Sequence, residues 1–466
     1  MRWIIRIVGT LVVLVAIFAG AALLVPTERI AGLAADRFEA ATGRTMRIDG
    51  PVRATLWPGL AVRMERITVA NPDWAGDAPL LDAGRVEVGV PLSAIWGGPV
   101  RIETLEIRDA VVTLVRDVGG AESWDLARPG GGSGGGGGSH GGSTLVPVER
   151  AFLAGAEVVY EDRAAGTGWR LRAVDLEARL PDAAGALDLV GSALIGGQAV
   201  AMEAQVARLA ALLDGKLTPL SATFSSGGTV LSVAGRGDLT PAFEGRTDIA
   251  STDGFAMLDA FGWTVPDLPD GLGARSVDMA GDLTLASAGT VHLRDLSAVL
   301  DGNTLAGDVD IDPSGERPRV TATLAAEALD LTGLSRKGQG GETALVAETG
   351  WAREGIDVSG LFAVDGDVAL ATGPVTLGDA VIDETRAVVV LDRGRAVVSL
   401  QPVAAYGGTV TGEVVVNGRG GLSVRAGLDL AGLRMQPFLT AFAGWDRLIG
   451  TADARIDLLG AGDTAQ

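Results

Sequence analysis

Apolar residues recur at every second position in short runs through most of this chain. Val86, Val88 and Val90 alternate with Glu87 and Gly89, and Ile102, Leu105 and Ile107 stand among Arg101, Glu103, Glu106 and Arg108. A period of two sends successive side chains to opposite faces of a β-strand, so each run predicts a strand with one apolar face. Nearly everything from Leu145 to Gln466 reads the same way. One local form recurs: glycine, an acid, then alternating apolar residues. It occurs at Gly281-Asp282-Leu283-Thr284-Leu285, Gly307-Asp308-Val309-Asp310-Ile311, Gly366-Asp367-Val368-Ala369-Leu370 and Gly412-Glu413-Val414-Val415-Val416. The acids lie 26, 59 and 46 residues apart, so no strict repeat exists. Each instance reads as a turn followed by a strand, and together they predict one long antiparallel meander. A period of two does not by itself separate a filled sandwich from an open trough.

The N-terminus breaks this pattern. Residues 7–25 form an apolar run of 19 without a charge. As a helix it would be about 28 Å long, close to the hydrocarbon thickness of a bilayer. Arg2 and Arg6 precede the run and the first acid, Glu28, follows it. That asymmetry predicts a single-pass anchor over 1–26 with its N-terminus in the cytoplasm, and Trp3 at headgroup level. The run is longer than the apolar core of a cleaved signal peptide, which favours the retained anchor. Residues 27–43 predict a short amphipathic helix, capped by Thr27 and ended by Gly43, with Ile30, Leu33, Ala34, Phe38 and Ala41 on one face. Its polar face lacks the basic excess of an interfacial helix, so capping a β-structure is the favoured role.

From Arg44 to Arg128 strands and turns follow. Met46, Ile48 and Val52 flank Asp49-Gly50, a hairpin signal. Residues 91–96 predict a turn or short helical piece, and residues 129–144 are a Gly-rich linker or loop with no capacity to bury surface. Helical interruptions are expected at 255–261 and 437–442, where bulky apolar residues recur at helical spacing.

Composition narrows the chemistry. The net charge is −20 and the pI about 4.5, which argues against nucleic acid as a partner. There is no cysteine, so disulfides and thiolate metal sites are excluded. Only His140, in the Gly-rich stretch, and His292, in a predicted strand, are histidines. Neither sits near an identifiable nucleophile. The matches to G-x-S-x-G around Ser133 and Ser139 lack the strand and helix a nucleophile elbow requires. Asp308, Asp310 and Asp312 fail as a calcium loop, because Pro313 and Arg319 stand where glycine and glutamate belong. Lys216 lacks a phosphate-loop context. Scattered carboxylates select no glycosidase pair. No catalytic residue, cofactor or metal site is expected.

Several ordered motifs resemble the AsmA family of Gram-negative envelope proteins. They are the apolar N-terminus, Arg47-Ile48-Asp49-Gly50, Leu56-Trp57-Pro58-Gly59-Leu60, Ile67-Thr68-Val69-Ala70-Asn71-Pro72, Pro91-Leu92, residues 101–107, Leu114-Val115-Arg116-Asp117, and GAESWD at 120–125. Tyr406-Gly407-Gly408 to Gly412 and residues 450–459 resemble the family's later part. The resemblance implies a long curled antiparallel sheet, a β-groove with an apolar inner channel, behind an inner-membrane anchor with the bulk in the periplasm. Its regions would be an AsmA-like N-terminal part (27–128) and an extended groove (145–466). Members continue past the equivalent of Leu458-Leu459-Gly460, so the family's C-terminal domain is expected outside this chain. The implied role is non-enzymatic: binding or conducting phospholipid in outer-membrane biogenesis and lipid homeostasis. The alternative is an assembly factor acting on outer-membrane protein targeting, with an outer-membrane or periplasmic protein partner. The expected groove-lining, lipid-contacting residues are Leu283, Leu285, Val309, Ile311, Val368, Leu370, Val414 and Val416.

Overall fold

The structure is a computed structural model. It describes residues 42–55, 60–91, 102–125, 148–182, 185–240, 242–255, 270–333 and 359–462, with Gly32, Ala35, Asp36, Phe38 and Glu39. The anchor segment with Arg2, Trp3 and Arg6 lies outside these residues. So do the Gly-rich stretch, most of the turn at 91–96 and most of the helix at 255–261. Among the described residues no helix is long and apolar enough to cross a membrane. Of the segment 27–43, Gly32, Ala35, Asp36, Phe38, Glu39 and Thr42 are helical. The Gly43 N–H donates to the Glu39 carbonyl at 2.7 Å, at a φ of 68°, and closes the helix as expected.

Two compact units divide the chain, Met1–Ala210 and Ala211–Gln466, and both are mainly β. The first holds β1 (Met46–Ile48), β2 (Val52–Thr55), β3 (Leu60–Val69), β4 (Leu81–Val90), β5 (Ile102–Arg116), β6 (Val148–Asp162), β7 (Thr167–Arg179), β8 (Leu187–Ile195) and β9 (Gln198–Val206). A short helix, α1 (Leu209–Leu213), follows. The second unit holds β10 (Thr218–Ser226), β11 (Thr229–Gly237), β12 (Phe243–Ser251), β13 (Val277–Leu285), β14 (Val291–Leu300), β15 (Asn303–Asp312), β16 (Arg319–Ala326) and β17 (Leu329–Asp330). It continues with β18 (Asp365–Thr372), β19 (Val375–Leu377), β20 (Ala380–Ile382), β21 (Thr385–Asp392), β22 (Arg395–Ala405), β23 (Gly408–Asn417), β24 (Ser423–Arg434) and β25 (Thr451–Ala461). Helix α2 (Met435–Ala443) sits between β24 and β25 and covers the interruption expected at 437–442.

Among the described residues most neighbours in the long sheet pair antiparallel, but two of its joins are parallel and break the expected meander. β5 pairs β6 in parallel, and β16 pairs β18 in parallel. A parallel join needs a long crossover, and the Gly-rich stretch belongs to the first one. The second crossover carries β17, which forms a separate three-stranded sheet with β19 and β20.

Two turn assignments from the sequence are corrected. Asp49-Gly50 does not close a hairpin, because β1 and β2 both pair with β3. The dipeptide is a break in one edge strand, opposite Arg66 at a φ of 51°. A Cβ on Gly50 would lie 2.3 Å from the Glu65 carbonyl oxygen, so glycine is needed for the close approach. The Gly-acid-apolar motif is, in three of its four instances, not a turn either. Gly281, Gly307 and Gly412 lie inside β13, β15 and β23, and Gly366 is the second residue of β18. At Gly307 and Gly412 φ is 152° and 145°, and a Cβ would meet a neighbouring strand's carbonyl oxygen at 2.0 and 2.1 Å. Register shifts lie alongside, between Leu293 and Leu296 and between Leu400 and Val403. Gly281, Gly307 and Gly412 thus mark bulges rather than turns, whereas Gly366 follows a 3-10 turn at Ser359–Phe362 and opens its strand as expected.

In the first unit a crease crosses five strands. Met64 and Ile67, Val86 and Ala83, Ile107 and Ala110, Leu153 and Ala156, and Leu171 and Val174 all join one cluster although each pair is three residues apart. Arg66, Asp109, Gly155 and Ala173 take positive φ in these gaps. The β3, β4 and β5 strands slip together, so register is the same on both sides of the line. Ala83, Ala110 and Ala156 are almost fully buried there, and their small size permits the close packing a sharp bend demands.

The second unit is stapled by one hairpin turn. Asp301-Gly302, at φ 51° and 97°, joins β14 to β15. The Asp301 carboxylate accepts five backbone N–H bonds, Oδ2 from Gly271, Gly273 and Ala274 and Oδ1 from Arg275 and Ser276, all within 3.0 Å. Burial opposes its ionisation, and the donors of Ser276, Arg275, Gly271 and Gly273 together outweigh that, holding the carboxyl below its ordinary value. Asn303 donates Nδ2 to the Gly271 and Asp330 carbonyls and accepts the Asp330 N–H, tying β17 to the same turn. A depressed folded value means stability is present above the unfolded Asp value of about 3.9 and is lost as pH falls through the folded one. Asp301→Asn is expected to cost about 1–3 kcal/mol in urea unfolding at pH 7. It is also expected to remove the Asp301 share of the acid-side loss that wild type shows below roughly pH 4.

Candidate functional site

Direct register partners share a face of a sheet, so the pairing of the second unit can be followed strand by strand. One row runs Leu283, Leu293, Val309, Ala322, Val368, Val389, Val398, Val414, Ala426 and Leu458 across ten strands. A second runs Leu285, Val291, Ile311, Val320, Gly366, Leu391, Ala396, Val416, Val424 and Gly460. A third runs Leu296, Gly307, Leu324, Leu370, Ala387, Leu400, Gly412, Leu428 and Ile456. No charged or polar side chain interrupts any of them. At about 4.8 Å per strand, ten strands carry the first row about 43 Å across the sheet.

All eight residues expected to line a groove fall on this face. Leu283, Val309, Val368 and Val414 share the first row, Leu285, Ile311 and Val416 the second, and Leu370 the third. Each is half-buried. The opposite face is polar over its first half: Thr284, His292, Asp310, Thr321 and Asp367 stand in one row. His292 Nδ1 lies 2.5 Å and Arg294 Nη2 2.6 Å from Asp310 Oδ1, and Arg319 pairs with Asp367. The His292 and Arg294 hydrogen bonds hold the Asp310 carboxyl below its ordinary value. These groups are about 40–45% exposed, and Asp310 engages His292 and Arg294 together, which suits a solvated strand face.

The apolar face is covered at one end. Leu305, Leu329 and Val375 form a buried cluster, with Leu324, Leu370, Leu377 and Ile382 packed against it. The three-stranded sheet therefore packs on the third row, with Leu324 and Leu370 against it. Near that end, Tyr406 meets Phe438 and Phe442 of α2 edge-on, at 5.7 and 6.1 Å between ring centroids. Burial raises the Tyr406 phenol above its ordinary value.

The strongest run was missed from the sequence. Ala387 to Leu391 and Ala396 to Val398 show no alternation, because β21 and β22 are apolar on both faces: Val390, Val397 and Val415 form a row on the other side. A continuous apolar run bounded by charges was the available signal.

The first unit presents two further features. A hollow of about 620 Å³ is lined by Glu106, Arg108, Phe152, Asp175, Glu177 and Val190, among others. Glu106, Phe152, Glu177 and Val190 are register neighbours on the face opposite the buried cluster, so this hollow lies on the polar side. Beyond the crease, Trp124, Tyr160 and Trp169 group together. Tyr160 and Trp169 stack at 5.1 Å, and Trp124 tilts onto Tyr160 at 5.9 Å. The Tyr160 hydroxyl donates to Asp162 Oδ2 at 3.3 Å. Burial, and then the Asp162 charge, raise the phenol above its ordinary value. Asp162 is held low by the Ala165 N–H, with help from Ala164 and Arg116.

Residues 3–129 match the model of the AsmA family. No curated protein and no solved structure matches the chain. The matched span ends before β6, so the apolar rows of the second unit lie wholly outside it.

Leu305 is buried under the small sheet, and Val309 in the first row is half-buried. Leu305→Ala, in the cluster under the small sheet, is expected to lose about 2–5 kcal/mol by urea unfolding. Val309→Ala, half-buried in the first row, should lose about 1 kcal/mol, because less of its surface leaves water on folding.

Proposed function

We propose that this protein handles lipid in the bacterial cell envelope, holding phospholipid acyl chains along the apolar face of its second unit. The observation that carries this is the first row, ten consecutive strands wide, apolar throughout and half-buried at every expected groove position. A sandwich core would bury such residues under a facing sheet. A continuous apolar face of this width on a soluble body marks a site for an apolar partner. The AsmA-family domain at 3–129 supports an envelope location. The apolar run at 7–25, preceded by Arg2 and Arg6, supports an inner-membrane anchor with the body in the periplasm. The curled-groove arrangement belongs to the same proposal, with the bulges at Gly307 and Gly412 as the points of bending.

A second reading has its own support. Val390, Val397 and Val415 form an apolar row on the opposite face, and Leu459 on β25 is 80% exposed. These favour a docked protein partner, as an assembly factor for outer-membrane proteins would need.

The chain has no cysteine, so single photocrosslinkable residues can be placed cleanly. Probes at Val309 and Val398 are expected to capture phospholipid in membrane extracts, and probes at Thr321 and Arg425 on the other face are not. Lipid adducts at neither Val309 nor Val398, with protein adducts at Val397, would reject the lipid reading in favour of the assembly factor.

A further inference from the structure

Aromatic residues are scarce in this chain, yet four of its 9 Trp and 2 Tyr residues gather at one end of the first unit. Tyr160 lies two residues beyond Val158, which packs against the buried cluster, and Trp169 is its direct partner across the strands. Their rings therefore continue the apolar face beyond the crease. The β8–β9 hairpin turns at Gly196-Gly197, before reaching Trp169. No β8 residue stands opposite Trp169 in the β7–β8 register, and the indole is 47% exposed.

Other loops converge on the same end. Arg163, in the β6–β7 turn, donates to the Trp74 and Ala75 carbonyls at 2.9 and 2.8 Å, fixing the β3–β4 connection beside it. Trp74 is 39% exposed. Trp124 follows Ser123, which is fully buried and accepts the Val115 N–H at 2.9 Å. Arg44, just after the N-terminal helix, donates to the Ser123 and Asp125 carbonyls, so the chain enters the sheet here. Asp73 and Asp77 lie close to Trp74 in sequence, and Glu122 and Asp125 to Trp124; all four are exposed. Of the nearby cations, Arg116 pairs with Asp162 and Arg163 with Glu161, while the Arg44 guanidinium rests on main-chain carbonyls.

We propose that this aromatic end is a headgroup station for lipids bearing an ammonium group, with their acyl chains directed along the adjoining apolar face. Indole and phenol faces attract cations through the ring quadrupole, and tryptophan and tyrosine suit the junction between apolar and wet surroundings. The carboxylate rim favours an ammonium and disfavours a headgroup with net negative charge. The proposal rests on the lipid-handling reading and adds selectivity to it.

The test compares binding of the full chain in detergent to phosphatidylethanolamine and to phosphatidylglycerol with identical acyl chains, read by native mass spectrometry. Wild type is expected to prefer phosphatidylethanolamine. Trp169→Ala, at a half-exposed site that should still fold, is expected to cut that preference about two- to fivefold, with phosphatidylglycerol binding and Val309 crosslinking unchanged. Trp169→Phe, which keeps a ring face, should retain most of it. Lipid bound without headgroup preference, or a preference that Trp169→Ala leaves intact, overturns the station while leaving acyl binding standing. Lipid bound by neither route overturns the lipid-handling reading itself.

Discussion

Pairing in register is what turns a local alternation into a surface. A single strand with apolar residues at every second position buries little. Ten such strands, joined so that Leu283 meets Leu293, Val309, Ala322 and onward to Leu458, make an unbroken apolar floor. A slip of one residue at any join would put a row such as Thr284, His292, Asp310 and Thr321 on that floor instead. The bulges are placed so that no slip accumulates. At Arg294-Asp295 in β14, Gln401-Pro402 in β22 and Ala431-Gly432 in β24 an extra residue is absorbed, and Leu296, Val403 and Leu433 return to the same face, all buried. Pro402 is tolerated there because a bulge needs no ladder N–H.

The strands and their faces were legible in the sequence because a period of two is a strong signal in Val-rich runs. The eight groove positions landed on one face for that reason. The bulges were not legible as such. Glycine followed by an acid is also how a turn begins, and only the backbone of the neighbouring strand, 2.0 Å from where a Gly307 Cβ would stand, shows why glycine is there. The crease had a clearer sequence trace, apolar pairs three apart at Met64-Ile67, Ala83-Val86, Ile107-Ala110 and Leu153-Ala156. Taken singly, such pairs look like noise in a strand, and they gain meaning only when five strands align them. The two parallel joins left no local trace, because the direction of a strand after a long crossover is decided by tertiary pairing.

The small sheet explains why the apolar face differs along its width. β17, β19 and β20 have two or three residues each and could not stand alone. They are held by β17's attachment to Asn303 and by Leu329 and Val375 packing onto Leu305. The staple at Asp301 therefore serves two ends at once: it closes a hairpin of the main sheet and fixes the piece that covers the third row. Leu370, which continues the same alternation as Val368, packs against that cluster for this reason.

That division bears on what the first two rows could hold under the proposed reading. Each methylene taken from water contributes about 0.8 kcal/mol, so a dozen along the first two rows would contribute about 10 kcal/mol before the cost of ordering a flexible chain. The floor itself is Val, Leu, Ile, Ala and Gly, with no hydrogen-bonding side chain to fix a ligand's position or register. Such a surface binds by area and cannot read identity. Any discrimination among lipids must come from polar groups at the edge of an apolar face. In this chain the aromatic and acidic residues that adjoin one are concentrated around Trp124, Tyr160 and Trp169, in the other unit from the widest apolar rows.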